Sequence, residues 1–198
     1  MDYNLFKAIN SLTGNGPIDS LFTFLAVYLP AILVALVAAT FLVPWRAKRA
    51  ERRNGAVLST VSAGLALAVA QPIAHAINRA RPFLTHPSHS HVLITRSPDP
   101  SFPSDHAAGA FALAMGIWLY DRRIGNILIG LAATLAFARV FVGTHYPTDV
   151  IGGAAMGAGI AVLLFRVKPT RKLLELVAAK GGWLWDRALT ALHLSPTT

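Results

Sequence analysis

The sequence predicts an all-α, polytopic membrane bundle of about five transmembrane helices, and three observations carry that prediction. Of 198 residues, 54% are hydrophobic and 14% charged, whereas a soluble domain carries nearer a quarter charged residues; the mean hydropathy is +0.51. Residues 20–45 and 54–78 contain no Asp, Glu, Lys or Arg. Each run exceeds the ~20 residues that cross a ~30 Å hydrocarbon core as a helix. Basic residues gather at alternate connections between apolar runs, as they do when loops sort by charge across a bilayer.

Residues 3–12 suit a short interfacial helix ahead of the first span. Spans one (20–45) and two (54–78) each hold a proline, Pro30 and Pro72, which predicts a kink in both. Three shorter apolar runs follow, at about 107–120, 124–138 and 150–165. Each is long enough to span only if its outer end takes in a neighbouring polar segment: Ser104 to His106, Arg139 to His145, and Asp149. Polar groups at such depth must be sheltered inside a bundle. Gly153 and Gly157 form a GxxxG spacing in span five, which suits close packing within the chain or a homodimer face. Residues 1–170 then make one membrane domain. Residues 171–198 make a basic tail, amphipathic but broken at Gly181 and Gly182, with Trp183 and Trp185 suited to the interface; a partly disordered tail is the alternative.

Five spans place all the basic clusters on one side. Arg46, Lys48, Arg49, Arg52 and Arg53 lie between spans one and two, Arg122 and Arg123 between three and four, and Arg166, Lys168, Arg171 and Lys172 after span five. That side is expected to be cytoplasmic, so the N-terminus, the 79–103 loop and the 143–148 turn face outward. The net charge of +9 fits an anionic membrane surface. No basic stripe on a polar domain suggests nucleic acid. The absence of cysteine excludes disulfides and thiolate metal sites.

The polar segments supply chemistry. In ARVFVGTHYPTDV, Arg139 stands six residues before His145, and His145 four before Asp149. If Pro147 opens span five, His145 and Asp149 are one helical turn apart. Asp149 can then hold the imidazole in one tautomer and leave the other nitrogen free to attack. A plain Arg–Asp pair steadying the loop is the competing reading. In FPSDHA, Ser104 to His106 open span three after Pro103. A helix N-terminus presents free N–H groups to an anion, Ser104 adds a donor, and protonated His106 can give its proton to a leaving oxygen. Asp105 reads as a cap or as a group supporting the site rather than a catalyst. In NRARPF, Arg81 precedes Pro82, with Arg79 nearby. An arginine fork suits phosphate, and for Arg79 anchoring of the helix end is an equal alternative. His75 reads as a bundle histidine. His86, His89 and His91 read as a solvated loop rather than a metal site, and Arg96 and Asp99 as loop charges.

On these residues the chain resembles the type-2 phosphatidic acid phosphatase superfamily of membrane lipid phosphatases. That family's pattern is KxxxxxxRP, then PSGH, then SRxxxxxHxxxD. Arg81-Pro82, Pro103-Ser104 with His106, and Arg139, His145 and Asp149 match it in order. Ala74 stands in the place of the family Lys, Ala138 in that of the Ser, and Asp105 where Gly is common; Arg79 or Asn78 are candidates to make up lost phosphate contacts. The PSDHA context, the short chain and the N-terminal LFxxIN are similar to the bacitracin-resistance type of undecaprenyl-diphosphatase.

The resemblance implies a hydrolase in the bacterial plasma membrane with an extracytoplasmic site. It would cleave a polyprenyl diphosphate to the monophosphate through a phosphohistidine at His145. His106 would be the proton donor, Asp149 would orient His145, and Arg81, Ser104, Arg139 and Arg79 would hold phosphate. No metal or cofactor is implied, and the partners would be the lipid diphosphate and membrane lipids. The lipid tail is expected in the membrane beside the spans. A phosphatase for phosphatidylglycerol phosphate or phosphatidate would read the same in sequence. A non-enzymatic lipid carrier is the reading from another class, and the complete His–His–Asp set speaks against it.

Overall fold

A computed structural model describes residues 1–43, 47–97 and 99–192. Within them the chain is helical: α1 (Asp2–Asn10), α2 (Gly16–Leu42), α3 (Arg49–Ile77), α4 (Pro82–Thr85), α5 (Asp105–Trp118), α6 (Arg122–Phe141), α7 (Pro147–Arg166) and α8 (Lys168–Ala191). Four helices, α2, α3, α6 and α7, are long and apolar enough to cross a membrane. The chain is a multi-pass membrane protein. Arg46 of the first basic cluster lies outside the described residues, as do the last six residues of the tail.

The helix ends follow local chemistry. Asn78 closes α3 in the left-handed region at φ 48°, where Asn is among the few tolerated side chains. Asp121 caps α6, accepting from the amides of Arg123 at 3.1 Å and Ile124 at 3.5 Å. Pro147 is the first residue of α7, and Asp149 folds back to accept the Tyr146 amide at 2.8 Å. Helices α2 and α3 each remain one helix through Pro30 and Pro72.

Helix α5 is the centre of the bundle, packed chiefly on α3, α6 and α7. Its 14 residues rise only about 21 Å, too short to cross alone. It nonetheless runs between the same two ends as its neighbours. Its first residue, Asp105, meets Gln71 of α3, and the chain just beyond its last residue reaches Asp121, which pairs with Arg52. The expected third span is thus a short helix enclosed by longer ones.

Small side chains make that enclosure possible. Ala107, Ala108, Ala112 and Ala114 of α5 are fully buried, and the Ser59 hydroxyl of α3 donates to the Leu113 carbonyl at 2.6 Å. A Cβ on Gly153 or Gly157 would strike the carbonyls of Ser104 or Ala108. The GxxxG stripe therefore faces α5 inside the chain, which is the close packing expected of it. Large side chains point outward instead: Phe24, Val34, Leu65, Ile127, Ile151 and Leu163 are all exposed, as suits contact with lipid.

The two ends differ in chemistry. At one, Arg52 pairs with Asp121 at 3.0 Å, Arg49 and Arg53 share Asp186, and the Tyr120 hydroxyl donates to Glu175 at 2.8 Å. The described residues of the basic clusters gather here. Helix α8 runs unbroken through Gly181 and Gly182, a correction to the expected break; Gly182 is buried where any side chain would strike the Arg53 guanidinium. The opposite end gathers α1, the 79–103 connection and the α6–α7 turn.

Candidate active site

Three local structures converge at that opposite end. After Asn78 the chain leaves α3 in extended form, and Arg81 becomes the residue before α4. Burial of Arg81 to 7% exposure is offset by backbone acceptors. Its Nε donates to the Asp99 carbonyl at 2.8 Å, and its Nη1 to the Thr144 carbonyl at 3.0 Å. Nη1 also stands 3.3 Å from His145 Nε2.

The second structure is the turn from α6 to α7. Gly143 takes φ +83°, with the His91 carbonyl against its Cα, so a side chain there is excluded both by strain and by space. Thr144 ties the turn back to the Arg139 carbonyl through its amide at 3.3 Å and its hydroxyl at 2.9 Å. The result folds His145 over the end of α6 and buries it to 2% exposure. His145 Nδ1 lies 2.9 Å from the Ser101 carbonyl. A carbonyl only accepts, so Nδ1 carries the hydrogen, and Nε2 keeps its lone pair, directed toward the cleft. Asp149 Oδ2 is farther, at 3.7 Å from Nδ1.

The third structure is the start of α5. The Ser104 amide donates to the Asp149 carbonyl at 3.0 Å, which locks α5 to α7. Among the described residues the fully buried Ser104 hydroxyl has no hydrogen-bond partner, and neither has Nε of Arg139, itself 8% exposed. Buried donors without a partner are costly, and both belong to the residues expected to hold phosphate.

Arg81, Arg139, His106 and His145 line one polar cleft of about 220 Å³, together with Gln71 and Asp105. Burial, with Arg139 and Arg81 adding to it, pushes the His145 imidazole down to about 4 against the opposing pull of Asp149. The ring is therefore neutral at ordinary pH and able to act as a nucleophile. On the membrane side Asp105 and His106 also line a second, apolar cavity of about 430 Å³ between α2, α3, α5 and α6, walled by Leu33, Val37, Leu67, Leu113 and Leu135.

Other expected residues are placed differently. Arg79 does not line the cleft. Its guanidinium pairs with Asp149 at 2.6 Å and with Asp2, and lies 4.2 Å from the centre of the Tyr146 ring. Asp105, expected as a cap or as a group supporting the site, does the latter: it accepts from Gln71 at 3.0 Å at the cleft wall. His75 is exposed at the cleft edge rather than buried in the bundle. His86 stacks on Tyr3 at 3.7 Å, and among the described residues no group of three or more His, Cys, Asp or Glu comes together as a metal site. Two participants were missed. Gln71 was visible as a polar residue inside a charge-free span. Asp2 had no local signal.

The chain is similar to known proteins in sequence and in fold. The PAP2 superfamily model matches residues 55–173. Undecaprenyl-diphosphatase BcrC of Bacillus subtilis (strain 168) is 30% identical over 100% of this chain and 98% of its own length. The putative undecaprenyl-diphosphatase YbjG of Escherichia coli (strain K12) is 27% identical over 79% of this chain and 77% of its own. Among solved structures, Aquifex aeolicus LpxE superposes with a TM-score of 0.62 at 23% identity, over 82% of this chain and 93% of that one. A PAP2-type phosphatidylglycerolphosphate phosphatase from Bacillus subtilis gives 0.57 at 20% identity, over 81% and 83%. At such identities the two structures speak for the fold alone.

Proposed function

The chain belongs to the PAP2 superfamily, and from that premise we propose that it hydrolyses undecaprenyl diphosphate, or a similar polyprenyl diphosphate, to the monophosphate and inorganic phosphate. The observation that carries this reading is the junction of two cavities. A polar cleft lined by Arg81, Arg139 and three histidines, His75, His106 and His145, meets an apolar one at Asp105 and His106. A diphosphate on an isoprenoid chain has that same division. The apolar cavity has the size of sites that enclose a drug-sized ligand, so it suits the first isoprenoid units, with the rest of the tail in lipid. The names of BcrC and YbjG agree with this substrate.

In the proposed mechanism, Nε2 of His145 attacks the terminal phosphorus and the anhydride P–O bond breaks. Arg81, Arg139 and the Ser104 hydroxyl hold the phosphoryl oxygens and stabilise the transition-state charge. The developing imidazolium is met by the Ser101 carbonyl on Nδ1 and by the Asp149 carboxylate nearby. His106 gives a proton to the departing polyprenyl monophosphate. Water then cleaves the phosphohistidine with His106 as base, returning the site to its first state.

Phosphate release by purified protein from a panel of lipids tests this. The polyprenyl diphosphate is expected to turn over fastest, with chelator having no effect and vanadate inhibiting through a trigonal-bipyramidal adduct on imidazole. Preference for phosphatidylglycerol phosphate would move the reading to that lipid. Loss of activity in chelator, restored by a divalent ion, would overturn the metal-free mechanism.

We place the site on the extracytoplasmic face of the plasma membrane, because Arg49, Arg52 and Arg53 gather with α8 at the opposite end and basic loops stay inside. A cysteine in place of Ser88 is expected to react with an impermeant thiol reagent in intact cells, and one in place of Ala50 is not. The reverse pattern would invert the orientation.

A further inference from the structure

We propose that Asp2 is a positioning residue for phosphoryl transfer: α1 carries it across the site to hold Arg79, and through Arg79 the carboxylate of Asp149 beside His145. The inference rests on the hydrolase reading above. Its evidence is a chain of contacts that no local sequence pattern contains. The Asp2 carboxylate accepts from Arg79 Nη2 and from the Thr148 hydroxyl, and from the Thr148 amide at 3.1 Å. Arg79 turns its other nitrogen, Nη1, to Asp149 Oδ1 at 2.6 Å and to the Thr148 hydroxyl at 2.7 Å. The Tyr146 ring lies under the guanidinium at 4.2 Å. Asp149 is fully buried, and its remaining oxygen caps the Tyr146 amide at 2.8 Å and faces His145 Nδ1 at 3.7 Å.

The geometry explains why two carboxylates share one arginine. An isolated Arg–carboxylate pair prefers the bidentate fork, with both oxygens on both nitrogens. Such a fork would draw Asp149 Oδ2 away from the Tyr146 amide and from His145. Asp2 occupies Nη2, so Arg79 meets Asp149 through Nη1 and Oδ1 alone. Oδ2 is left on the histidine side.

Helix α1 is secured well enough to impose this. Phe6 is fully buried and meets the Tyr146 ring edge-on at 5.6 Å. Tyr3 stacks on His86 at 3.7 Å. At the far end of the helix, buried Asn10 exchanges hydrogen bonds with the His91 carbonyl and amide, each at 2.8 Å, and donates to the Phe141 carbonyl at 2.7 Å. The helix thus joins the α3–α4 connection, the loop at His91 and the α6–α7 turn that carries His145.

The test uses the full chain with Asp2→Asn, Asp2→Glu, Arg79→Ala and the Asp2→Asn/Arg79→Ala pair, each checked for an unchanged elution profile in detergent. Outer partners of a working histidine are typically worth about 10–100-fold. Asp2→Asn, which keeps shape and loses charge, is expected to lower kcat by that range and leave KM nearly unchanged, since neither Asp2 nor Arg79 lines the cleft. Asp2→Glu should restore most of the rate, and adding Asp2→Asn to Arg79→Ala should cost little more. A wild-type kcat in Asp2→Asn, a loss confined to KM, or additive losses in the pair would overturn the proposal. If the wild-type protein cleaves no polyprenyl diphosphate, the substrate reading fails by itself, and the same variants are compared on p-nitrophenyl phosphate.

Discussion

Replacing His145 with alanine is expected to abolish turnover and to leave no acid-labile phosphoenzyme. The expected loss is large because the proposed mechanism makes this histidine the bond-forming group; removal of the nucleophile in a serine hydrolase costs on the order of 10⁶ in kcat. Three features assign it that role over His106. It is 2% exposed, its Nδ1 hydrogen is committed to the Ser101 carbonyl at 2.9 Å, and its Nε2 lies 3.3 Å from an arginine that also lines the cleft. A neutral ring with one nitrogen tied back has one lone pair to offer, and that nitrogen faces Arg81 in the cleft. Since burial pushes this imidazole down to about 4, the nucleophile is present through the physiological range and is lost only as pH falls through that value and the ring takes a proton.

The same geometry separates His145 from Asp149. The carbonyl, not the carboxylate, makes the direct hydrogen bond. Asp149→Asn is therefore expected to lose less than His145→Ala, because the tautomer is held by Ser101 even when the charge is gone. Trapping with labelled lipid diphosphate and acid treatment reads both variants. A labelled, acid-labile adduct in His145→Ala would place the nucleophile on another residue.

What could be read from the chain and what could not follows from the reach of each interaction. Arg139, His145 and Asp149 were legible because one turn and one helix start bring them together, and the segment 139–149 contains the whole geometry. Ser104 and Arg81 were legible because each sits at a helix end marked by proline. Arg79 was misplaced: its partner Asp2 lies 77 residues away in the chain, and nothing near Arg79 announces it. The Ser101 carbonyl was invisible for a different reason, since a backbone acceptor has no residue identity to notice. The tail was read as broken at Gly181 and Gly182 because glycine costs about 1 kcal/mol in a helix interior. Gly182 packs directly on the Arg53 side chain, itself buried and paired with Asp186, and a Cβ there would have to displace it.

His106→Ala is expected to slow the enzyme according to what must leave. His106 stands where the polar cleft meets the apolar cavity, the place where a lipid diphosphate changes from phosphate to chain. In the proposed mechanism a proton donor there serves the oxygen that departs with the lipid, while His145 serves the bond that forms. General acid catalysis is typically worth ~10²–10⁴-fold, and that factor applies only to leaving groups that need a proton. On p-nitrophenyl phosphate, whose phenolate leaves readily, His106→Ala should keep much of the wild-type rate of phosphoenzyme formation. On a simple alkyl phosphate, whose alkoxide leaves poorly, it should lose most of it. A polyprenyl diphosphate, which releases a phosphate monoester, should fall between the two. The second half-reaction adds a constraint, because water attacking the phosphohistidine needs a base whichever substrate was cleaved. Single-turnover formation of phosphoenzyme, measured apart from its hydrolysis, isolates the first step across the series. If His106→Ala loses the same factor on every leaving group in that step, it does not act as the proton donor, and its place between the cavities must serve substrate positioning instead.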